Sequence, residues 1–372
     1  MFEHLDDHGS FSPSMSMLTT VVRAGRRRRN RSRLARAGTA SVATLAIGAG
    51  AAVTVANRKI DSVDRVEVAS LVESEGVAEP YTMLLTGVDG ASSLDDGSVA
   101  QRSDTIALVR LFPAGQRVTF LQLPRDLLVE VPGHGPARIN SALVAGGPDL
   151  LVQTIKENFG IEVNHYASID FEGARKIGDA VGGLSFDFQY PTRDLRSGFN
   201  IAEPGCHTLD GQGLLAFVRS RHLETEKSPG KWEIDRGYDL SRMARQEQVV
   251  LAALATFSRL DASDPVGTAQ FVDAVVENVE LDSTFDRAAM LQLFRDVAGS
   301  EIRDVRFAYE ERVTDSGAAV LVPVRDQFYD AALHLFSEGE LPADFYPLGP
   351  DEMAGLFPPP ALQPQPQHFS AC

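Results

Sequence analysis

Three apolar runs of strand length limit what this chain can become. Tyr81–Val88 (YTMLLTGV), Thr105–Phe112 (TIALVRLF) and Arg117–Leu123 (RVTFLQL) are each short, apolar and bounded by turn composition. Runs of that kind predict strands buried in a sheet. Asp89-Gly90 closes the first run, and Pro113-Ala114-Gly115-Gln116 predicts a hairpin turn between the second and third. Residues 90–101 (GASSLDDGSVAQ) have loop composition.

Helical periodicity begins after Asn140. Ser141–Ala145, a Gly146-Gly147-Pro148 interruption, and Asp149–Phe159 form the first helical stretch. A short strand is predicted over His165–Ile169, a helix over Phe171–Ala180 ending at Gly182-Gly183, and a strand over Leu184–Phe188. Gln212–Val218 and Leu240–Leu260 predict two helices. Further helices are expected over 266–278, 286–298 and 325–336, with strands near 303–309 and 319–323. Hairpins mixed with strand–helix alternation imply an α/β fold: an α-β-α sandwich around a mixed central sheet.

Charge is unevenly distributed. Residues 1–56 hold eight arginines and three acidic residues, while the whole chain carries −16, so the remainder carries about −21. A body this acidic repels nucleic acid over most of its surface. The Arg-rich segment runs into Ala37–Ala56, 20 residues without a charge, followed by Asn57-Arg58-Lys59. At about 1.5 Å per residue this run spans roughly 30 Å, one bilayer core. Arginines before it put the N-terminus in the cytoplasm and the body outside. A cleavable signal peptide is the rival reading, but the preceding segment is long for one.

The expected organisation is therefore a cytoplasmic Arg-rich tail (1–36), a transmembrane helix (37–56) and a stalk (57–80). An extracytoplasmic domain (81–340) and a Pro-rich disordered tail (341–372) follow. The two cysteines, Cys206 and Cys372, read as buried or idle thiols before a disulfide.

Within this acidic body Arg219, Arg221, Arg242 and Arg245 gather beside Gln246. Arg242, Arg245 and Gln246 stand at i, i+3 and i+4 and share one helix face. The apolar VVLAALA that follows predicts that this helix is packed rather than solvated. Arg219 and Arg221, at i and i+2 of an extended segment, point the same way. Guanidinium groups match phosphate oxygens and keep their charge, so the set suggests an anion site.

Upstream, Asp89 follows one strand and Asp104 precedes the next, so their carboxylates can converge on a hard cation such as Mg²⁺. The plain alternative is a turn cap and an Arg102–Asp104 pair. Arg125-Asp126 sits where a strand leaves the sheet, the edge at which α/β sheets bind ligands. A surface ion pair explains it equally well. Arg138-Ile139-Asn140 opens the helical region, with Asn140 as an N-cap on the plain reading. The histidines lack metal-ligand spacing, and no G-x-S-x-G, Walker A or Cys–His arrangement occurs.

Taken in order, the motifs resemble the LytR-CpsA-Psr family. They are Val88-Asp89, Arg102-Ser103-Asp104-Thr105, Leu123-Pro124-Arg125-Asp126, Arg138-Ile139-Asn140, Gly182-Gly183, Leu209-Asp210-Gly211, Phe217-Val218-Arg219-Ser220-Arg221 and Asp239-Leu240-Ser241-Arg242-Met243-Ala244-Arg245-Gln246. The likeness runs from about residue 81 to 255. It implies a membrane-anchored, Mg²⁺-dependent phosphotransferase that moves a glycopolymer from a polyprenyl-pyrophosphate carrier onto peptidoglycan.

By that resemblance Asp89 and Asp104 would hold Mg²⁺. Arg102, Arg219, Arg221, Arg242, Arg245 and Gln246 would bind substrate, and Arg125, Asp126 and Arg138 would act in catalysis. Apolar helices at 142–159 and 171–181 would wall a tunnel for the lipid. The sequence departs from the family pattern at Gln122-Leu123, Arg138, Ser241 and Glu247, none of them a proposed metal ligand. A pyrophosphatase using water as acceptor, or a lipid-carrier-binding envelope regulator without turnover, are the competing readings. The acidic 222–237 segment is a place for donor or acceptor specificity.

Overall fold

A computed structural model of the chain describes residues 64–73, 79–93, 99–235 and 238–259 and, with gaps, 270–341. The expected tail at 1–36, span at 37–56 and most of the Pro-rich tail lie outside these residues. Among the described residues no helix is long and apolar enough to cross a membrane.

Seven strands build the main sheet: β1 (Arg65–Val66), β2 (Tyr81–Ser93), β3 (Val99–Phe112), β4 (Arg117–Leu123), β7 (His165–Asp170), β14 (Val279–Asp282) and β15 (Glu301–Val305). Their order is β1-β14-β7-β2-β3-β4-β15. The β1–β14, β2–β7 and β4–β15 pairs are parallel and the rest antiparallel, so the sheet is mixed as expected. β1 falls within the expected stalk, and Val68 just beyond it is buried in the core. Residues 64–73 are therefore part of the fold.

The apolar runs are continuous because both sheet faces are covered. Leu84, Leu108 and Leu121 point into a core shared with helix α1 (Asn140–Phe159) and helix α5 (Gln327–Glu338). Their neighbours in sequence, Leu85, Val109 and Phe120, face the other way. There they meet helices α2 (Phe171–Ala180), α3 (Gly211–Arg219) and α4 (Tyr238–Arg259).

Local chemistry sets the ends of these helices. The side chains of Asp170, Asp210 and Asp326 accept from backbone N–H groups at the starts of α2, α3 and α5. In α1 the expected interruption is real: Gly147 has φ 69° and ψ −164°, a region that side chains exclude. Asn140 is not the cap predicted for α1. Ile139 holds that position without a side-chain bond, and the Asn140 N–H donates to the carbonyl of Arg125.

Four short strands escaped the sequence reading and form a second sheet in the order β10-β9-β12-β13. They are β9 (Thr192–Asp194), β10 (Phe199–Ile201), β12 (Glu224–Ser228) and β13 (Lys231–Ile234). One face of this sheet packs Phe199 and Ile201 against Phe188, Phe217 and Leu223. Nearby, β11 (Gly205–Leu209) pairs with β8 (Leu184–Phe188). Cys206 on β11 is disulfide-bonded, which corrects the expectation of an idle thiol. Its side chain is therefore unavailable for thiol chemistry.

Candidate active site

The predicted arginines meet where α3 ends beside α4. Arg219 is the last residue of α3, and Ser220 turns the backbone to φ −62° and ψ 124°. The Arg219 guanidinium lies over the Phe171 ring, 4.8 Å from its centroid, at the start of α2. Arg221 follows and is exposed. On α4, Arg242, Arg245 and Gln246 are 2 %, 3 % and 5 % exposed. This face is therefore packed inward, as the apolar sequence after it predicted. Gln246 bridges two elements: its Oε1 accepts from Thr105 Oγ1 at 2.8 Å and its Nε2 donates to the Val218 carbonyl at 3.5 Å.

Arg245 Nη2 donates to the Ser220 carbonyl and its Nη1 pairs with Asp235 Oδ2 at 3.2 Å. Burial pulls its pKa down to about 10, against the attraction of Asp235. Arg245 thus braces the turn that carries Arg219 and Arg221.

A second brace was not foreseen. Asp194, 1 % exposed, stands at the end of β9. Its Oδ2 accepts from Ser220 Oγ at 2.6 Å, Arg221 N at 3.0 Å and His222 N at 2.9 Å. Its Oδ1 accepts from Arg196 N at 2.8 Å and Ser197 N at 3.3 Å. Burial alone would raise the Asp194 pKa. The bonds from Ser220, His222, Arg196 and Ser197 outweigh it and hold the value at about 2. Asx-turn chemistry was the local signal that could have marked Asp194, but nothing local names its partner 26 residues away.

Arg125, Asp126 and Arg138 make a separate group. Leu123 pairs with Ile106, so the chain leaves β4 beside the part of β3 that holds Asp104 and Thr105. Asp126 lies between Arg125 Nε and Arg138 Nε, each 3.3 Å away. Arg138 also donates from Nη2 to the Ala319 carbonyl at 2.7 Å. Its guanidinium thereby ties this group to strand β17 (Ala319–Pro323).

The side chains of Asp89, Arg102 and Asp104 lie outside the described residues, but their backbone register is informative. Gly87 pairs with Thr105, Val88 with Ser103 and Asp89 with Arg102. Asp104 is the extra residue of a bulge at this point. The two aspartates therefore occupy adjacent antiparallel strands, Asp89 one residue beyond the bulge. Bulges commonly re-aim side chains beside active sites. Both aspartates lie inside their strands, because β2 runs on to Ser93 and β3 starts at Val99, so part of the loop expected over 90–101 is strand. Among the described residues no group of three or more His, Cys, Asp or Glu forms a metal cluster.

Behind the clamp is a cavity of about 280 Å³ with apolar walls, between the main sheet and α2, α3 and α4. Met83, Leu85, Ile177, Leu214, Val250 and Ala253 contribute to it. Its geometry follows from helix periodicity. On α4 the stripe Arg242–Gln246 continues, at helical spacing, into Val249, Val250 and Ala253. One helix face thus passes from guanidinium and amide groups to apolar side chains within two turns. Helix 171–180 lines the cavity as expected. Helix 140–159 does not, because α1 packs on the opposite face of the sheet.

Two departures from the family pattern meet here. With its amide nitrogen turned toward α4, Gln122 donates to Glu247 Oε2 and to the Met243 carbonyl, both at 3.2 Å. Glu247 pairs with Arg306. Burial and the nearby Asp304 push the Glu247 pKa well above the ordinary carboxylate range, against the pull of Arg306.

Comparison with known proteins agrees with this geometry. The LytR_cpsA_psr family model matches residues 46–330. The probable cell wall biosynthesis protein LcpB of Corynebacterium glutamicum is 31 % identical over 211 residues, 54 % of this chain and 47 % of that protein. The polyisoprenyl-teichoic acid–peptidoglycan teichoic acid transferase TagU of Oceanobacillus iheyensis is 33 % identical over 219 residues, 57 % of this chain and 62 % of that protein. The chain thus spans about half to three-fifths of the length of these relatives.

Among solved structures, the LytR-Csp2A-Psr enzyme of Actinomyces oris aligns with a TM-score of 0.59 at 28 % identity. That alignment covers 75 % of this chain and 96 % of that one. The TagT structure with bound octaprenyl pyrophosphate shares the fold, with a TM-score of 0.53 at 19 % identity over 74 % of this chain and 98 % of that one. With its model matched over most of the sequence and the mixed sheet and arginine clamp in place, this chain belongs to the LytR-CpsA-Psr family.

Proposed function

We propose that the protein is a membrane-anchored phosphotransferase that moves a glycopolymer from a polyprenyl-pyrophosphate carrier onto peptidoglycan. The observation that carries this reading is the α4 stripe, with guanidinium groups and an amide at one end of an apolar cavity. An amphiphile with a charged head and hydrocarbon tail matches both parts. Relatives named as teichoic acid transferases support the chemistry.

Phosphoryl transfer is largely positioning and charge neutralisation. Arg219, Arg221 and Arg242 would grip the pyrophosphate while Arg245 and Asp194 hold the turn in place. A peptidoglycan hydroxyl would attack the phosphorus that bears the glycan. A new P–O bond forms, the bond to the polyprenyl phosphate breaks, and polyprenyl phosphate leaves. The guanidinium groups offset the charge gathering on that leaving group. Arg125 is fixed by Asp126, and Asp126 is the candidate to take the hydroxyl proton. Asp89 and Asp104 would hold Mg²⁺, which when bound supplies further charge neutralisation on the phosphate oxygens. The uncharged run 37–56 would anchor the chain, N-terminus inside and body outside.

The test is transfer from a synthetic polyprenyl-pyrophosphoryl saccharide to peptidoglycan fragments, with Mg²⁺ or with EDTA. Mg²⁺-dependent product, lost in Arg219→Ala and Asp104→Ala, is expected. Release of free saccharide phosphate without acceptor product would instead assign a pyrophosphatase. Binding without turnover would assign a receptor.

A further inference from the structure

The solvent face of the second sheet has a composition that the clamp does not account for. Register sets Asn200, Arg193, Glu224 and Ile234 directly across from one another in a row over all four strands. Trp232 and Glu226 form the next pair on the same face. The opposite face is the one packed on Phe188 and Phe217, so this row is turned outward. The Arg193 guanidinium stacks 3.7 Å from the Trp232 ring centroid, and its Nε donates to Glu224 Oε2 at 3.0 Å. Arg193, Glu224 and Trp232 are each only half-buried, and Asn200 and Ile234 are exposed.

One end of this sheet is fixed to the arginine turn. Strand β9 ends at Asp194, which holds Arg221 and His222. Strand β12 begins two residues after His222. The Asp235 N–H that follows β13 donates to the Leu223 carbonyl at 2.7 Å, and the Asp235 carboxylate pairs with Arg245. Through Asp194 and Asp235 this sheet is therefore tied to the turn that carries Arg219 and Arg221.

An indole, a guanidinium, an amide and two carboxylates on one surface are the groups that bind sugars. The ring stacks on apolar C–H faces, and the forked polar groups bond paired hydroxyls. One cation stands against the carboxylates Glu224 and Glu226, which disfavours a polyanion and favours an uncharged saccharide. We propose that this face, centred on Arg193, Glu224 and Trp232, binds the uncharged sugar of the donor nearest the pyrophosphate. The inference rests on the polyprenyl-pyrophosphate reading above and adds a specificity subsite to it.

Trp232 is the only tryptophan in the chain, so selectively excited tryptophan emission reports on this face alone. The full chain in detergent micelles is titrated with octaprenyl pyrophosphate and with octaprenyl pyrophosphate bearing one N-acetylglucosamine. The saccharide-bearing lipid is expected to give a saturable change in emission that the bare lipid does not. By calorimetry, Trp232→Ala and Arg193→Lys should each weaken the saccharide-bearing lipid by about tenfold. Both should leave the bare lipid within about twofold, which a damaged fold would not allow. Equal emission changes with both lipids, or equal losses for both, would overturn the proposal. So would an emission change caused by a soluble peptidoglycan disaccharide instead, which would give the face to the acceptor. If the wild-type chain binds neither lipid, the donor reading itself fails and the subsite falls with it. Binding of the bare lipid alone refutes only the subsite.

Discussion

Replacing Asp194 by Asn tests whether an ionised carboxylate holds the arginine turn. The substitution keeps size and shape but removes the charge and one acceptor oxygen. Five donors converge on the native carboxylate, so the new amide must set its own N–H groups against at least two of them. Leaving buried donors unsatisfied costs about 1–3 kcal/mol each. The titration gives an independent figure. The pKa falls from its ordinary 3.8 to about 2. At 1.36 kcal/mol per unit this corresponds to about 2.4 kcal/mol of stability near neutral pH.

The sign follows from the depressed folded value. The contribution is complete well above pH 4, falls to about half near pH 3 and vanishes below pH 2. Urea unfolding of wild type and Asp194→Asn at pH 3, 4, 5 and 7 gives the difference directly. It should be about 2–3 kcal/mol at pH 7, level to pH 5, and then shrink. A difference that does not change with pH would refute the ionised carboxylate as its source. No difference at all would refute the brace. Octaprenyl pyrophosphate affinity should fall with it, and fall less when Arg221→Ala is already present.

Three further outcomes follow from the same geometry. Arg245→Ala removes a buried cation from Asp235 and the Ser220 carbonyl, and should cost about 3 kcal/mol by urea unfolding. Arg219→Ala should instead leave stability nearly unchanged while transfer falls about 10²–10³-fold, read as kcat in the peptidoglycan assay. Ala253→Phe should fill part of the apolar cavity and weaken octaprenyl pyrophosphate by at least about tenfold, with inorganic pyrophosphate binding unaltered.

The readable parts of this chain were those governed by neighbours in sequence. Tyr81–Val88, Thr105–Phe112 and Arg117–Leu123 became strands because continuous apolar stretches suit a sheet covered on both faces. Arg242, Arg245 and Gln246 were assigned to one inward face from their spacing and the apolar turns that follow. The break at Gly146-Gly147 and the limits of α2 were equally local.

What escaped depended on distant pairing. Residues 192–201 and 224–234 are short and polar, and become a sheet only because Glu224 finds Arg193 across about thirty residues. Asp194 went unmarked in the sequence, because Ser220, Arg221 and His222, which the fold sets against it, stand 26 to 28 residues away. Arg242 and Arg245 carry the same side chain three residues apart. By sequence both were ligand groups, and only the tertiary structure engaged Arg245 with Asp235 and Ser220. Periodicity and composition therefore decided the class of fold, its main sheet and the inward face that carries Arg242, Arg245 and Gln246. That Arg245 braces the turn and that helix 171–180, not helix 140–159, walls the cavity were decided by long-range hydrogen bonds and burial, because those depend on partners that local sequence does not name.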